Sequence, residues 1–561
     1  MKQKKNKTNY FKIFLFIILL SAIAMRFFGN NWDHGYHLHP DERMIIMVAE
    51  KIKFFTQLNP KFFNYGSFPI YILEGTAQFS DSLFSTNYRN YDNLLYWGRM
   101  IVSCLDIFTI MIVFKLSKII FKNSAKPTRN ENIALYASLF YSLSFFPIQN
   151  SNFFVVDNFI NFLLSLLILF IIKYFYTPSK KHIIYIAIIY AALIASKFTP
   201  IIFLPLILLI VFFEIKKNKL TFKIKSLNKF KNLFLFIDVF LIFNFIFMPY
   251  TYLNFDKFFT DIKLQTKMNS NAYIFPYTLQ YVGTIPYLYY LKNIALWGVG
   301  PIIFILFAIG LYLVFKKQIQ NHDKNRNFIL IFYLIINLYY FLFIGRSAVK
   351  FMRYMLPIYP FISIISAYGF SQLIVAKKIP DKIKKVIKYS TIPLIFIWTL
   401  SFLTIYTKPH TRVAASEWII NNIPKHSKIA VEHWDDRLPI TQSNRYRFVE
   451  MTLYELPDDR RKWIDLNQKL DQADYLILSS NRLYIPLQKL SDCSKYRKCY
   501  PKTAQYYEDL FNEKLNFKKV AEFDSYPHLP FSNTAIIADD SADESFTVYD
   551  HPKVIIFEKM K

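Results

Sequence analysis

The sequence contains few glycines and few cysteines, 11 and three among its 561 residues. It has no glycine-rich phosphate loop, which argues against a Rossmann-type site for a nucleotide sugar. Cys104 lies inside an apolar run, where we expect it to serve in packing. Cys493 and Cys499 lie close together in the polar C-terminal region. They would form a small-loop disulfide if that region lies outside the cytosol, and two unpaired thiols are the alternative.

Acidic residues are also scarce: 39 Asp and Glu stand against 68 Lys and Arg, for a net charge of +29. From Thr407 to Lys561 the two signs balance at 23 each, so the whole excess lies in residues 1–406. The basic residues fall in short segments between apolar runs, which is the positive-inside pattern of membrane proteins. Because no basic groove or stacking motif accompanies the charge, we do not expect nucleic-acid binding.

Apolar runs dominate the chain, in which 53% of the residues are hydrophobic and 19% are aromatic. Runs of about 20 residues recur, the length that a helix needs to cross roughly 30 Å of hydrocarbon. This predicts a polytopic α-helical membrane protein rather than a soluble domain. The run at 182–214 is divided at "SKFTP", because Lys197 and Pro200 would be costly in mid-bilayer. The predicted spans are 11–29, 97–119, 133–150, 158–176, 182–196, 198–214, 232–249, 294–315, 327–344, 354–375 and 388–406, about 11 in all.

With this number of spans, alternate connections share one side of the membrane. That side holds the basic segments "KQKKNK", "KNSAKPTRNE", "YTPSKK", "KKNKLTFKIKSLNKFK", "KKQIQNHDKNR" and "KKIPDKIKKVIK", which predicts that it is the cytoplasm. The first run also resembles a signal peptide with a possible cleavage site at "AIA", although we favour an uncleaved anchor. The opposite side collects the loop 30–96, the loop 250–293 and the C-terminal region 407–561. We therefore expect the functional site on the extracytoplasmic face of the plasma membrane.

The first outer loop contains "GYHLHPDERMI" at residues 35–45. One interpretation is structural, because a proline at the first helical position followed by acids in the opening turn is a typical helix start. The other is catalytic, because Asp41 and Glu42 would then be held at the membrane surface. A carboxylate in this position can act as a general base.

Several further ionisable or aromatic side chains are predicted on the same side: Lys61, Tyr65, Arg99, Asp157, Lys197, Arg346, Lys350 and Arg353. Each of these side chains could instead have a purely structural role. Arg99 and Arg353 would snorkel to the interface, and Asp157 would cap a helix. Lys197 has little room to reach water, because apolar sequence flanks it on both sides. Together, cations and carboxylates at one membrane surface suit a substrate with a lipid phosphate.

Several motifs, taken in their order along the chain, resemble those of a known family. "HPDER", "NPKFFNYGSFPIYI", "GRMIVS", "FFVVDNF", "SKFTP", "PYTLQYVGTIPYLYYLKNIALWGVGP" and "KFMRYMLPIYP" span most of residues 35–360. In this order they resemble membrane glycosyltransferases of the GT-C class. The resemblance is greatest to the family-39 group, which is related to protein O-mannosyltransferases and the aminoarabinose transferases of lipid A. The sequence departs from the family pattern at Gly66 in "NYGSFP", where the family would have a second proline.

The resemblance implies a polyprenyl-phosphate-linked sugar as donor and single displacement with inversion at the sugar carbon. It implies that Asp41 is the general base and that Glu42 orients the acceptor or the base, with Asp157 assisting. The lipid phosphate would be neutralised by cations, namely Arg99, Lys197, Arg353, Lys350 and Lys61. Other candidate site residues are His39, Arg43 and Tyr65. The acceptor would be a hydroxyl of a protein, a lipid or a glycan.

A divalent metal is left open rather than predicted, and no other cofactor is predicted. His37, His39, Asp41 and Glu42 could offer ligands, but their spacing matches no established metal-ligand geometry. The GT-C-type membrane part at residues 1–406 is expected to carry catalysis. A transporter or flippase of a lipid-linked sugar is the alternative function, yet the chain shows no internal repeat and its polar groups cluster at one end of the helices. A scaffold that only binds a surface polymer would leave the Asp-Glu pair and Lys197 unexplained.

Residues 407–561 are predicted to form a small extracytoplasmic α/β domain. Helix-like stretches such as "TRVAASEWIINNI" and "TAQYYEDLFNEKL" alternate with the strand-like "KIAVEHW", "ADYLILSS" and "KVIIFE". This alternation favours a layer of the βαβ type. We expect this domain to select the acceptor or to cover the site.

Overall fold

The computed structural model describes residues 2–121, 127–212, 215–216, 219–220, 227–320 and 324–560. Within these ranges the chain is mostly helical. The α-helices are α1 (Lys2–Phe27), α2 (Pro40–Ala49), α3 (Phe68–Phe84), α4 (Tyr91–Ile120), α5 (Pro127–Ser142), α6 (Phe145–Asn150), α7 (Val156–Tyr176), α8 (Lys180–Ser196), α9 (Leu204–Phe212), α10 (Leu227–Phe247), α11 (Pro249–Leu253), α12 (Phe255–Ser270), α13 (Leu288–Asn293), α14 (Pro301–Gln320), α15 (Lys324–Gly345), α16 (Tyr359–Leu373), α17 (Asp381–Leu403), α18 (Thr411–Asn422), α19 (Arg460–Gln472), α20 (Tyr484–Lys489), α21 (Pro501–Phe511) and α22 (Glu544–Thr547).

Helical structure occupies each of the 11 predicted spans, and six of the described helices are long and apolar enough to cross a membrane. The count of 11 crossings therefore stays a prediction. Three predicted spans are interrupted close to a proline, at Pro200, Pro301 and Pro357, beside 3-10 or π-helical turns. Proline lacks the N–H that would continue an α-helix, which accounts for the changes of helix type. Parts of the predicted cytoplasmic segments, at 122–126, 217–218, 221–226 and 321–323, lie outside the described residues, and so do residues 213–214 at the end of the predicted span 198–214.

Helix α7 packs against α4 and α8 and is buried along most of its length. A polar cluster inside the bundle joins neighbouring helices beside it. Arg26 Nε lies 2.6 Å from Asp106 Oδ2, and the Tyr141 hydroxyl donates to Asp106 Oδ1 at 2.5 Å. Ionisable groups at membrane depth are costly unless paired, and these pairs satisfy that requirement. The cluster thus ties α1, α4 and α5 together.

The C-terminal region contains a five-stranded sheet, and a separate two-residue hairpin, β1 (Ile215–Lys216) and β2 (Lys219–Leu220), lies between helices. The sheet has the order β4-β3-β5-β7-β6, with β3 parallel to β4 and β5, and β7 antiparallel to β5 and β6. The sheet is thus mixed: its parallel part, β4-β3-β5, is of the kind that a βαβ layer has, and β7 and β6 add an antiparallel part. Its strands are β3 (Lys428–Glu432), β4 (Arg447–Met451), β5 (Tyr475–Leu478), β6 (Phe517–Phe523) and β7 (Val554–Lys559).

The three strand-like stretches of the sequence correspond to β3, β5 and β7, and the two helix-like stretches to α18 and α21. The strands β4 and β6 were not predicted. Their outward-facing residues are partly or fully exposed, so neither has the buried apolar run that marks a central strand. Cys493 and Cys499 are joined in a disulfide, which was the first of the two alternatives.

The segment that contains α22 docks the C-terminal region onto the membrane helices. Phe546 is fully buried within the helical core, and Gln149 donates to Asp550 at 3.0 Å. His551 lies between Asp550 and Asp539, at 2.5 and 2.9 Å. Burial opposes the charge on His551, but the two carboxylates raise its pKa to about 10. The protonated imidazole therefore ties together the residues before and after α22, and Gln149 joins this segment to α6.

Candidate active site

Helix α2 begins where the motif "HPDER" predicted a helix start. His39 is the N-cap, and its Nδ1 accepts a hydrogen bond from the Glu42 backbone N–H at 3.4 Å. Pro40 follows at the first helical position, and Asp41 and Glu42 lie in the first turn. Burial, with Arg353 and Arg99 nearby, holds the pKa of His39 well below its usual range. A neutral imidazole is the form that can accept the capping hydrogen bond.

Asp41 and Glu42 are adjacent in sequence but lie in different environments. The Glu42 side chain is completely buried, whereas 26% of the Asp41 side chain is exposed. Glu42 accepts from Arg99 Nε at 3.0 Å and Nη2 at 2.7 Å, and from the Phe154 backbone N–H at 2.7 Å. Of the two carboxylates, only that of Asp41 can therefore meet a substrate directly.

Arg99 is fully buried and all of its N–H groups are engaged. Besides Glu42, it donates to both carboxylate oxygens of Asp33, at 2.8 and 2.9 Å, and to the Asn30 carbonyl oxygen at 2.8 Å. The guanidinium also lies 5.1 Å from the centre of the Trp32 ring. This arrangement joins α4 to the start of α2 and to the chain that precedes it. We refer to Asp33, Glu42 and Arg99 as the buried ion cluster.

Arg353 lies between two aspartates that the sequence singled out. Its Nη2 is 2.8 Å from Asp41 Oδ2, and its Nε is 3.6 Å from Asp157 Oδ2. Its Nη1 donates to the Tyr549 hydroxyl at 3.0 Å. The same guanidinium lies 4.3 Å from the centre of the Phe351 ring. One guanidinium thus connects α2, α7 and the C-terminal region, which lie far apart in sequence.

Lys197 follows the last residue of α8, where the sequence divided the apolar run. Its Nζ donates to Asp157 Oδ1 at 2.8 Å and lies 4.1 Å from the centre of the Tyr354 ring. The structure explains why this chain has Gly66 where the family pattern would have a proline. The Gly66 N–H donates to the Ser196 carbonyl at 3.1 Å, and a Cβ on Gly66 would lie 1.8 Å from the Ala195 carbonyl oxygen. A proline could neither donate that bond nor fit against α8.

One cavity of about 950 Å³, a typical size for a ligand site, lies beside these ion pairs. The ion-paired side chains that line it are given below. Apolar residues of the helical part, such as Ile201, Ile262 and Phe343, form part of its wall. The sequence-predicted residues that line it are Asp41, Tyr65, Asp157, Lys197, Lys350 and Arg353, and Arg346 lines it as well.

The other predicted site residues lie away from the cavity lining. Glu42 and Arg99 belong to the buried ion cluster, and His39 is buried, with its ring centre 3.8 Å from that of Tyr549. Arg43 is half-exposed and lies 3.6 Å from Asp436 of the C-terminal region. Lys61 is exposed on the loop before α3. The structure therefore brings together about half of the residues that the sequence proposed.

The C-terminal region supplies a part of the cavity that the sequence analysis missed. Trp434, Arg482, Glu544 and Tyr549 line it, together with Tyr277 of the loop between α12 and α13. Trp434 belongs to "HWDDR", a segment with no recognisable catalytic spacing. Arg482, Glu544 and Tyr549 are single residues in unremarkable sequence, whereas Tyr277 belongs to the motif "PYTLQYVGTIPYLYYLKNIALWGVGP". No pattern along the chain marks the four residues of the C-terminal region, because only the docking of that region brings them to the cavity.

The cations of the cavity differ in their partners. Arg353, Lys197 and Arg482 each lie against a carboxylate. Among the described residues, Arg346 and Lys350 have no carboxylate partner, and the Lys350 ammonium donates to the Ala348 carbonyl at 3.1 Å. Burial, with Lys489 nearby, lowers the pKa of Lys350 to about 8. These two cations are therefore available to an anionic ligand.

The structure also bears on the four residues that could have offered metal ligands. His39 is a helix cap, Glu42 is held by Arg99, and the His37 ring is stacked 3.9 Å from the Tyr91 ring. In the part of the chain that the structure describes, no group of three or more His, Cys, Asp or Glu side chains is arranged to hold a metal ion.

Comparison with solved structures identifies the fold. Over 99% of its length the chain matches 89% of the archaeal oligosaccharyltransferase AglB from Archaeoglobus fulgidus, solved with an inhibitory peptide and a dolichol-phosphate, with a TM-score of 0.51 and 12% identity. The chain has a GT-C fold.

Two further solved structures are similar to the chain. The Archaeoglobus fulgidus oligosaccharyltransferase in complex with Zn and sulfate matches with a TM-score of 0.50 and 12% identity, over 97% of this chain and 88% of that one. ArnT from Cupriavidus metallidurans bound to undecaprenyl phosphate matches with a TM-score of 0.49 and 13% identity, over 86% of this chain and 95% of that one. No protein-family model matches the sequence, and no curated protein matches it.

Proposed function

We propose that this GT-C protein is an integral-membrane glycosyltransferase that moves a sugar from a polyprenyl-phosphate-linked donor to an acceptor hydroxyl. The observation that carries the proposal is the pairing of Asp41 with Arg353 in a cavity that also holds the cations Arg346 and Lys350. A partly exposed carboxylate beside fixed cations suits a reaction that takes a proton from one substrate and leaves charge on a phosphate. The AglB structure contains a dolichol-phosphate, a ligand of the class proposed here.

In the proposed reaction Asp41 removes the proton of the acceptor hydroxyl. The acceptor oxygen attacks the anomeric carbon from the face opposite the leaving group, and the bond from that carbon to the phosphate oxygen breaks. The bonding electrons leave with the polyprenyl phosphate, and the sugar carbon is inverted. Arg353 orients Asp41 through the 2.8 Å ion pair. Asp157 acts as a positioning residue, because its two oxygens face Lys197 and Arg353.

Arg346 and Lys350 would hold the donor phosphate, with Lys197 beside them. A cation without a carboxylate partner can form charge-assisted hydrogen bonds to phosphate oxygens without breaking an existing pair. The apolar wall of the cavity would accommodate the first isoprene units of the donor. Arg99, which the resemblance assigned to the donor phosphate, would instead act with Glu42 as a positioning residue. Together they anchor the start of α2 and so hold Asp41 in place. Lys61 has no part in this arrangement.

We also propose that the cavity faces the extracytoplasmic side. The support is that the lining combines residues from segments predicted on that side, including Asp41, Lys197 and Arg353, with residues of the region 407–561. The membrane part would then be residues 1–406, with the N-terminus in the cytoplasm and the C-terminal domain outside.

The experiment that tests the function uses the full-length protein in lipid nanodiscs with a panel of polyprenyl-phosphate sugars. We expect release of free polyprenyl phosphate from at least one donor, by slow hydrolysis without an acceptor and faster with one. Movement of intact donor across the bilayer without any release would contradict the proposal. That result would instead favour the transporter or flippase.

Donor binding should depend on pH through Lys350. Because its pKa is about 8, the ammonium is charged at lower pH and becomes neutral as the pH rises through 8. The phosphodiester of the donor stays anionic over this range, so donor affinity should fall by about 3- to 10-fold between pH 7 and pH 9. The measurement is the donor dissociation constant as a function of pH.

The matched control for this prediction is Lys350→Arg, whose guanidinium stays charged throughout. That variant should lose the decrease in affinity near pH 8. An equal decrease in wild type and Lys350→Arg would show that another group is responsible.

A further inference from the structure

The backbone of Trp434 has an unusual conformation. Its φ angle is 77°, in the left-handed region that a bulky residue rarely adopts. Residues held in such a conformation cluster at functional sites. The Trp434 side chain is nevertheless 40% exposed and lines the cavity, so burial of the ring does not account for the conformation. The fold keeps a tryptophan ring accessible at the cavity.

Other aromatic rings surround Trp434. The centres of the Phe275, Tyr277 and Tyr454 rings lie 6.3, 6.0 and 6.2 Å from that of Trp434. The Phe275 and Tyr277 rings are stacked at 5.3 Å. We call Phe275, Tyr277, Trp434 and Tyr454 the aromatic rim. It combines the loop after α12 with the C-terminal region, and it offers flat apolar ring faces beside the cavity.

A fixed ion pair adjoins the aromatic rim. Arg482 Nε donates to Glu544 Oε1 at 2.7 Å, and Arg482 Nη1 donates to the Trp434 carbonyl at 3.3 Å. Gln280 donates to the other Glu544 oxygen at 3.0 Å. In the ranges that the structure describes, Arg482 Nη2 has no protein acceptor. The pair therefore presents both a donor and a carboxylate acceptor to a ligand, each held in a fixed orientation.

The charges of the cavity limit what the second substrate can be. Asp41, Asp157 and Glu544 are matched by Arg353, Lys197 and Arg482. The two cations that remain are the ones assigned above to the donor phosphate. The part of the cavity at the aromatic rim therefore has no surplus charge. It favours a neutral, polar ligand over an anionic one.

We propose that the aromatic rim and the Arg482–Glu544 pair form the acceptor subsite, and that the acceptor is a neutral glycan; this rests on the function proposed above. A pyranose ring has apolar C–H faces that can pack on aromatic rings. Its hydroxyl groups both donate and accept, and so match a guanidinium next to a carboxylate. One common way to hold an extended peptide uses main-chain hydrogen bonds to the edge of a sheet, which the aromatic rim does not offer.

The test measures binding without any donor, by saturation-transfer NMR on the full-length protein in nanodiscs. The probes are maltotriose, cellotriose and mannotriose, with a short neutral peptide that contains serine and threonine as the competing class. We expect saturation of ring C–H protons in at least one trisaccharide. Trp434→Leu should weaken that binding by about 10-fold or more, because it removes the flat ring face. Trp434→Phe keeps a ring and should retain most of the affinity.

Trp418→Leu is the matched control, since Trp418 lies on α18 against Phe523 and does not line the cavity. Thermal unfolding of each variant separates loss of binding from loss of folding. The proposal is wrong if no trisaccharide binds, if only the peptide binds, or if a folded Trp434→Leu binds sugar as wild type does. Because no donor is present, failure of the glycosyltransferase assay and failure of sugar binding are distinguishable. With donor, the variant should raise the acceptor KM more than it lowers kcat.

Discussion

Asp41→Asn should reduce sugar transfer by about 10²- to 10⁴-fold, the usual contribution of a general base. Asparagine has nearly the shape of aspartate and can still contact Arg353, but it cannot accept the proton of the acceptor hydroxyl. Donor binding should change little, because the phosphate-binding cations Arg346 and Lys350 are untouched. The measurement is the transfer rate at saturating donor, with the donor dissociation constant determined separately.

The control for this substitution is Asp92→Asn. Asp92 is also an aspartate of the loop 30–96 region, but its side chain is 79% exposed and does not line the cavity. Transfer by Asp92→Asn should match wild type. If Asp41→Asn keeps full activity while Asp157→Asn loses it, the base is Asp157 and the assignment made here is wrong.

Arg99→Met should lower the free energy of unfolding by about 3–5 kcal/mol. The substitution leaves the carboxylates of Asp33 and Glu42 buried without their partner, and an uncompensated buried charge has a cost of this size. This loss is a large part of a total stability of order 5–15 kcal/mol, so the variant should unfold at a clearly lower temperature or denaturant concentration. Thermal or denaturant unfolding in nanodiscs measures the effect.

Arg346→Met is the matched comparison, since Arg346 is exposed and has no ion-pair partner among the described residues. It should leave stability within about 0.5 kcal/mol of wild type but weaken donor binding. The two arginines thus separate a structural from a ligand-binding role. If Arg99→Met folds normally and loses only donor affinity, then Arg99 binds the phosphate after all, as the family resemblance implied.

The start of α2 illustrates what can be predicted from local sequence. The capping residue, the proline and the acids of the first turn act within one helical turn, so "HPDER" was sufficient to locate the helix start, whereas the different exposure of Asp41 and Glu42 came only from the structure. The break at Lys197 was predictable for the same kind of reason, because a charge and Pro200 within an apolar run are both unfavourable in a continuous membrane helix.

The role of Arg99 could not be predicted in this way. Its partners Asp33 and Glu42 are 66 and 57 residues away along the chain. Before these contacts are known, a buried cluster, a snorkelling side chain and a phosphate ligand all have the same sequence signature. The same limit applies to Trp434, Arg482 and Glu544, whose place at the cavity depends on the docking of α22 and its neighbours.

Sequence alone was sufficient for the helical class, the positions of the apolar helices and the start of α2, because hydropathy, capping and charge costs act over a few residues; the assignment of Asp41 as the base came from the family resemblance and stays a proposal. The tertiary structure was needed to distinguish the buried ion cluster from the cavity cations and to reveal the contribution of the C-terminal region. Those features depend on ion pairs and ring contacts between segments up to several hundred residues apart, which form only when the helices pack.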